Sequence, residues 1–179
     1  MKPVSIIRPN ILGNTEGKQK ICMTNEELSY IAGFLDGDGC IMLQLVYRHD
    51  YVFGYQIRAS VVFYQDVRNR KFLEWLKSKL KFGYIRNRND GMSEYTIVGV
   101  EAVSQVLKLF KPYLRLKKKQ VDLAQRVLKE MPGKGNKLTP KKLLRLSKLV
   151  DGFSLLNYSK RRTNTSAKVE EFLKSHKLL

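Results

Sequence analysis

The run Leu28-Ser-Tyr-Ile-Ala-Gly-Phe-Leu-Asp-Gly-Asp-Gly39 constrains the fold more than any other stretch of this chain. Leu28, Ile31, Ala32 and Leu35 recur at i, i+3, i+4 and i+7, the spacing of one apolar stripe on a helix. Thr24, with Glu27 three residues on, is a capping box that opens that helix. A second seam of Ala32, Gly33 and Gly37 is too small to hold a neighbouring backbone away, so the spacing predicts two helices in close contact. The helix ends in Asp36 and Asp38, and carboxylates held beside terminal carbonyls suit a hard divalent cation.

At Gly39 the apolar period changes from helical to alternating. Ile41, Leu43, Leu45 and Tyr47 fall on one face, Met42, Gln44, Val46 and Arg48 on the other. After a turn near His49-Asp50, Tyr55, Ile57, Ala59, Val61 and Phe63 alternate with Gln56, Arg58, Ser60, Val62 and Tyr64. This pattern predicts a hairpin with one buried and one mixed polar face. A helix over about 67–80 and a second hairpin follow. The strands Phe82–Arg88 and Ser93–Val98 are joined through Asn89-Asp90-Gly91, whose Asp-Gly pair suits positive φ. A third helix over about 101–110 completes the order α-β-β-α-β-β-α. Beyond about residue 112 the chain reads as helical: one helix to about Met131, another over Pro140–Leu156 with Thr139 as N-cap, a polar basic loop Asn157–Ser166, and a short terminal helix. Residues 1–20 read as a basic arm, and residues 21–179 as a single α+β domain.

Two hairpins backed by helices make a four-stranded antiparallel sheet with one open face. That face is predicted to carry Gln44, Arg48, Gln56, Arg58, Ser60, Arg86, Arg88, Glu94 and Thr96. Arginine and glutamine read guanine and adenine edges in the major groove, which also admits a β-ribbon. A strand of about nine residues spans about 30 Å, or roughly nine base pairs. The charge agrees with such a surface. Lysine and arginine total 34 against 16 acids, a net +18, which points to a polyanionic partner. With only two cysteines, Cys22 and Cys40, and two histidines, the chain offers no zinc motif, disulfide framework or histidine-based catalysis. No apolar run is long enough to span a membrane, and no small-molecule cofactor motif occurs.

Tyr30-Ile-Ala-Gly-Phe-Leu-Asp-Gly-Asp-Gly39 resembles the signature of the LAGLIDADG homing endonucleases. Gln56, Phe63-Tyr-Gln65, Phe72-Leu73, Pro112-Tyr-Leu-Arg-Leu-Lys-Lys-Lys-Gln120 and Asn157-Tyr-Ser-Lys-Arg-Arg162 extend the likeness over about residues 25–165. The motif occurs once, and the resemblance then implies a homodimer. Ala32, Gly33, Asp36 and Gly37 would lie at its interface. It implies Mg²⁺, two or three ions per pair of active sites, held by Asp38 with the Gly37 carbonyl. Gln65 and Lys117 map onto positions that order water near the metal, and Lys160 and Arg161 onto contacts with the DNA backbone. Asn69 stands where related enzymes can carry a cation, a role left to Arg68 or Arg70. Asp36 is expected to hold the helix end or a neighbouring amide.

The implied activity is a double-strand break with four-base 3′ overhangs in a long pseudo-palindromic site. The free-standing length points to an intron-encoded form. The other function open to such a scaffold is nucleic-acid binding without cutting, as in an intron maturase or a transcription regulator. The compartment is left open: intracellular, and a chloroplast or mitochondrion if the host intron is organellar.

Overall fold

The computed structural model describes residues 21–133, 138–157 and 162–179. The expected basic arm, Lys160 and Arg161 lie outside the described residues. Along the chain come α1 (Asn25–Asp38), β1 (Gly39–Tyr47), β2 (Tyr55–Asp66), α2 (Arg70–Leu80), β3 (Tyr84–Asn87), β4 (Met92–Val98) and α3 (Val100–Phe110). They are followed by α4 (Lys118–Glu130), α5 (Pro140–Asp151), α6 (Phe153–Leu156) and α7 (Ser166–Ser175). The α-β-β-α-β-β-α order and the helical C-terminal part match the sequence reading.

The strands form one antiparallel sheet in the order β1-β2-β4-β3. β2 is central, paired with β1 from Gly39↔Phe63 to Tyr47↔Tyr55 and with β4 from Ser60↔Val98 to Asp66↔Met92. The helices cover the face carrying Ile41, Leu43, Ile57, Val61, Phe63, Tyr95 and Ile97, all buried. Phe34 of α1 stacks on Phe63 (5.8 Å between centroids), which stacks on Tyr95 (5.9 Å). The Tyr95 hydroxyl donates to the Phe82 carbonyl at 2.6 Å, so its polar end is satisfied inside the core.

α1 begins at the expected capping box: the Thr24 hydroxyl accepts from the Glu27 amide, and the Glu27 carboxylate accepts from the Thr24 amide. Glu27 also pairs with Lys79 of α2. At the far side of the sheet Phe172 of α7 lies against Gly54, which has φ +65°; a Cβ there would stand 2.5 Å from the ring. The hairpin turn and α7 therefore meet at a position that only glycine fits.

Three expectations are corrected. Ala32 is not on the small-residue seam but fully buried in its own subunit. It lies four residues after Leu28 and three before Leu35, which puts it on the apolar stripe. The helix expected over Pro140–Leu156 breaks at Gly152, whose amide bonds back to the Leu149 carbonyl at 3.1 Å. Gly152 keeps helical dihedrals, and Phe153, three residues after buried Val150, stays on the same apolar stripe and is fully buried. The stretch expected to open the second helix, Val67–Asn69, is a 3₁₀ turn capped by Asp66, whose carboxylate accepts from the Arg68 amide at 2.9 Å.

Candidate active site and nucleic-acid interface

The last turn of α1 carries two acids and no basic residue, although a helix C-terminus favours cations. Asp36 is relieved by the backbone. Its Oδ2 accepts from the Arg115 (2.5 Å) and Leu116 (3.1 Å) amides, and its Oδ1 from the Lys117 amide at 3.0 Å. Asp36 is 8% exposed, and both of its oxygens are engaged within its own subunit. The expectation that Asp36 holds neighbouring amides is met, and the expectation that it helps form the dimer interface is corrected: it anchors the segment that delivers Lys117.

Asp38 is exposed, and among the described residues no side chain pairs with it. Lys117 Nζ donates to the main-chain carbonyl of Asp36, setting an ammonium at the negative end of the helix. Burial pushes the Cys40 thiol up, and the nearby Lys117 charge partly opposes that shift.

Among the described residues no group of three or more His, Cys, Asp or Glu side chains converges. One chain thus offers the Asp38 carboxylate and last-turn carbonyls rather than a cage. Such a donor set fits Mg²⁺, which keeps several waters and takes one or two carboxylates plus phosphate oxygens.

Gln65 lies two residues beyond Phe63, the partner of Gly39, and so at the end of β2 nearest the α1 terminus. Its Oε1 accepts from Asn69 Nδ2 at 3.0 Å, and among the described residues nothing accepts from its own amide nitrogen. Neither candidate for the cation missing at Asn69 is unengaged. Arg68 pairs with Asp66 at 2.8 Å, and Arg70 with Glu74 at 3.0 Å.

The open face repeats along the register in rows: Gln44 beside Arg58, Cys40–Val62–Thr96–Tyr84, and Tyr64–Glu94–Arg86. Gln44, Arg58, Arg86 and Arg88 are exposed and Gln56 is half-buried. Arg48 is exposed but clamped on Asp50 by two bonds of 2.9 and 2.6 Å. Arg86 is held by Glu94 at 2.6 Å, and Arg88 by Asp90 at 2.7 Å and more loosely by Glu94 at 3.8 Å. Arg58 alone of these arginines pairs with no side chain among the described residues.

Ser60, Glu94 and Thr96, expected as direct contacts, are 2%, 6% and 4% exposed. Each is a shorter side chain on a central strand, shaded by longer neighbours in its row: Met42 beside Ser60, Tyr84 beside Thr96, Arg86 beside Glu94. Glu94 aims and neutralises arginines instead of presenting itself.

A groove of about 890 Å³ links the two regions, running from Asp36, Gly37 and Lys117 past Cys40 and Met42 to Gln44. Gly33 and Gly37 are exposed, and a Cβ on either would meet nothing within 4 Å. Among the described residues nothing requires glycine there, so the seam is left open for another surface. The sequence reading placed Asn157 and Arg162 in a basic loop without this role and missed Asn164; all three bond to the edge of β1. Their partners lie 116 to 119 residues away in the chain, and no local pattern signals them.

Comparison with known proteins accords with this geometry. The LAGLIDADG endonuclease family profile matches residues 31–126. DNA endonuclease I-CvuI from Chlorella vulgaris is 37% identical over 148 residues, 83% of this chain and 90% of that one. DNA endonuclease I-CreI from Chlamydomonas reinhardtii is 34% identical over 150 residues, 84% of this chain and 90% of that one. The crystal structure of I-CvuI with its target in the presence of calcium superposes with a TM-score of 0.81 at 35% identity, covering 86% of this chain and 96% of that one. By motif, by fold and by these relatives, the chain belongs to the LAGLIDADG endonuclease family.

Proposed function

We propose that this protein is a site-specific homing endonuclease that pairs with a second copy of itself. The pair binds a long pseudo-palindromic DNA site and breaks both strands with the help of a divalent cation. One observation carries the reading: Asp38, an exposed carboxylate without a partner among the described residues, ends a helix whose glycine seam is open.

Two such helices meeting at the seam bring two Asp38 carboxylates to the centre of the DNA-facing surface, and each subunit serves one strand. Asp38 and the Gly37 carbonyl would hold Mg²⁺, with two or three ions shared by the paired sites. When bound, the cation activates water and offsets charge on the phosphate. The chain's own residues do the rest. Asp36 fixes residues 115–117 to the helix end. Lys117 sets an ammonium beside the scissile phosphate and stabilises charge as it develops. Gln65, its oxygen occupied by Asn69, donates to a water in the reaction path. Arg58 and Gln44 read base edges, while Arg86 and Arg88 reach DNA on the leash of Glu94.

The break leaves four-base 3′ overhangs, and an intron is the host element. Arg68, 85% exposed and lining one hollow with Gln65 and Asn69, supplies the cation absent at Asn69 once DNA draws it from Asp66; Arg70 is turned to Glu74 and Asn87.

The test is cleavage of a plasmid library of randomised sites by the purified protein with and without Mg²⁺. We expect Mg²⁺-dependent cutting at a narrow set of related sites. We also expect Asp38→Asn to abolish it, by at least about a thousandfold, while dimerisation and DNA affinity persist. Unchanged cutting by Asp38→Asn would falsify the metal assignment. Specific binding without cutting by the unaltered protein indicates a maturase or regulator instead.

A further inference from the structure

β1 lies at one edge of the sheet, and the outward backbone groups of an edge strand need partners or cover. Three side chains supply donors to alternate carbonyls in succession. Asn157 Nδ2 donates to the Ile41 carbonyl (3.3 Å), Arg162 Nη2 to that of Leu43 (3.2 Å), and Asn164 Nδ2 to that of Leu45 (2.9 Å). The donors climb the strand in chain order, acting as a side-chain substitute for a fifth strand. Arg162 does more, since its Nη1 also donates to the Val150 carbonyl at 2.7 Å in the last turn of α5. Burial lowers the proton affinity of this guanidinium, and Asp151 opposes that shift. Asp151 in turn accepts from the Ser166 amide at the start of α7, at 3.0 and 3.3 Å. The residues that alternate with the bonded ones, Met42 and Gln44, line the same groove as Asn157, Arg162 and Asn164.

We propose that Arg162, seconded by Asn157 and Asn164, is a positioning residue for base recognition: it turns inward from a basic run and fixes the height of β1, so that Gln44 reaches its base pairs. The inference rests on the endonuclease reading above. Leucine and valine carbonyls on two different elements are bridged by one planar fork. Lysine, a point charge on a flexible stem, does not reproduce such a bridge.

The experiment measures affinity of the full chain for its own site and for each single-base-pair variant, over a range of salt. Gln44→Ala first marks the base pairs that β1 reads. Arg162→Met and Arg162→Lys are expected to relax discrimination at those positions by roughly tenfold. Discrimination at positions read through Arg86 should hold, and the slope of affinity against salt should not change. Asn164→Ala removes a single rung. It should relax the same set of positions more weakly, and it decides the matter if the Arg162 variants do not fold.

A salt slope lowered by about one with base preference intact overturns the proposal, because Arg162 is then a phosphate contact. Equal loss at every position overturns it too, leaving only a stabilising role. If the unaltered protein shows no site preference, the endonuclease reading itself fails, an outcome distinct from failure of the clamp alone.

Discussion

Both oxygens of Asp36 are taken by amides of residues 115–117, and Lys117 caps the carbonyl of the same residue. Two residues on, Asp38 meets none of these groups. Asp36→Asn keeps the shape but turns an amide NH₂ toward main-chain N–H donors. It should cost about 1–3 kcal/mol of stability and loosen Lys117, and urea unfolding beside a cleavage assay checks both effects. A loss of activity without loss of stability would show that Asp36 works through something other than this anchor. The sequence made the acids legible because their spacing at a helix end is local. It left the roles of the arginines blurred: Arg48, Arg86 and Arg88 each carry a carboxylate partner, and Glu94, read as a contact, is one of those partners. Which polar residue faces out depends on the size of its neighbours in the row, and those neighbours come from other strands.

Helix α1 packs one stripe inward and leaves Glu26, Ser29, Tyr30, Gly33 and Gly37 outward. A Cβ at Gly33 touches nothing within 4 Å among the described residues, so a single copy should accept a larger residue there. Gly33→Leu is expected to yield a folded monomer at concentrations where the parent is dimeric. Sedimentation or size-exclusion chromatography reads the state and circular dichroism the fold; a dimer of unchanged affinity would remove the seam from the interface. Periodicity revealed the element order up to Phe110 because each switch between 3.6 and 2 is written within ten or so residues. The break at Gly152 was hidden, since the apolar spacing of α5 runs on through Phe153 and the interruption is one tightened turn at Gly152. The edge ladder on β1 was hidden for the opposite reason: its two halves are distant in the chain.

A chain of net charge +18 spends many of its few acids in pairs. Glu27 is held below the ordinary glutamate value by Lys79, Asp50 by Arg48, Asp66 by Arg68, Glu130 by Arg145 and Glu170 by Lys174. For a depressed carboxylate, the stabilisation is complete above its unfolded value and lost as pH falls through its folded one. Stability should therefore be flat near neutrality and fall below about pH 4.5, the ordinary glutamate value. Protonation then also deepens the excess positive charge. Thermal unfolding at several pH values tests this, and added salt should shallow the fall because exposed pairs are screened. A melting temperature that rises on acidification would contradict the pairing. Net charge was readable from composition alone; how it is leashed by acids was not, because most of those pairs depend on side-chain rotamers.

The ring column from Phe34 through Phe63 to Tyr95 crosses from α1 to the middle of the sheet. Stacked aromatics in a close-packed interior transmit displacement instead of absorbing it. Whatever fixes the angle between two copies of α1 therefore also fixes the phase between their sheets along the double helix. One extra base pair at the centre of a target swings its halves apart by about 35° of helical twist, and such a target should be cut far less well than the parent site.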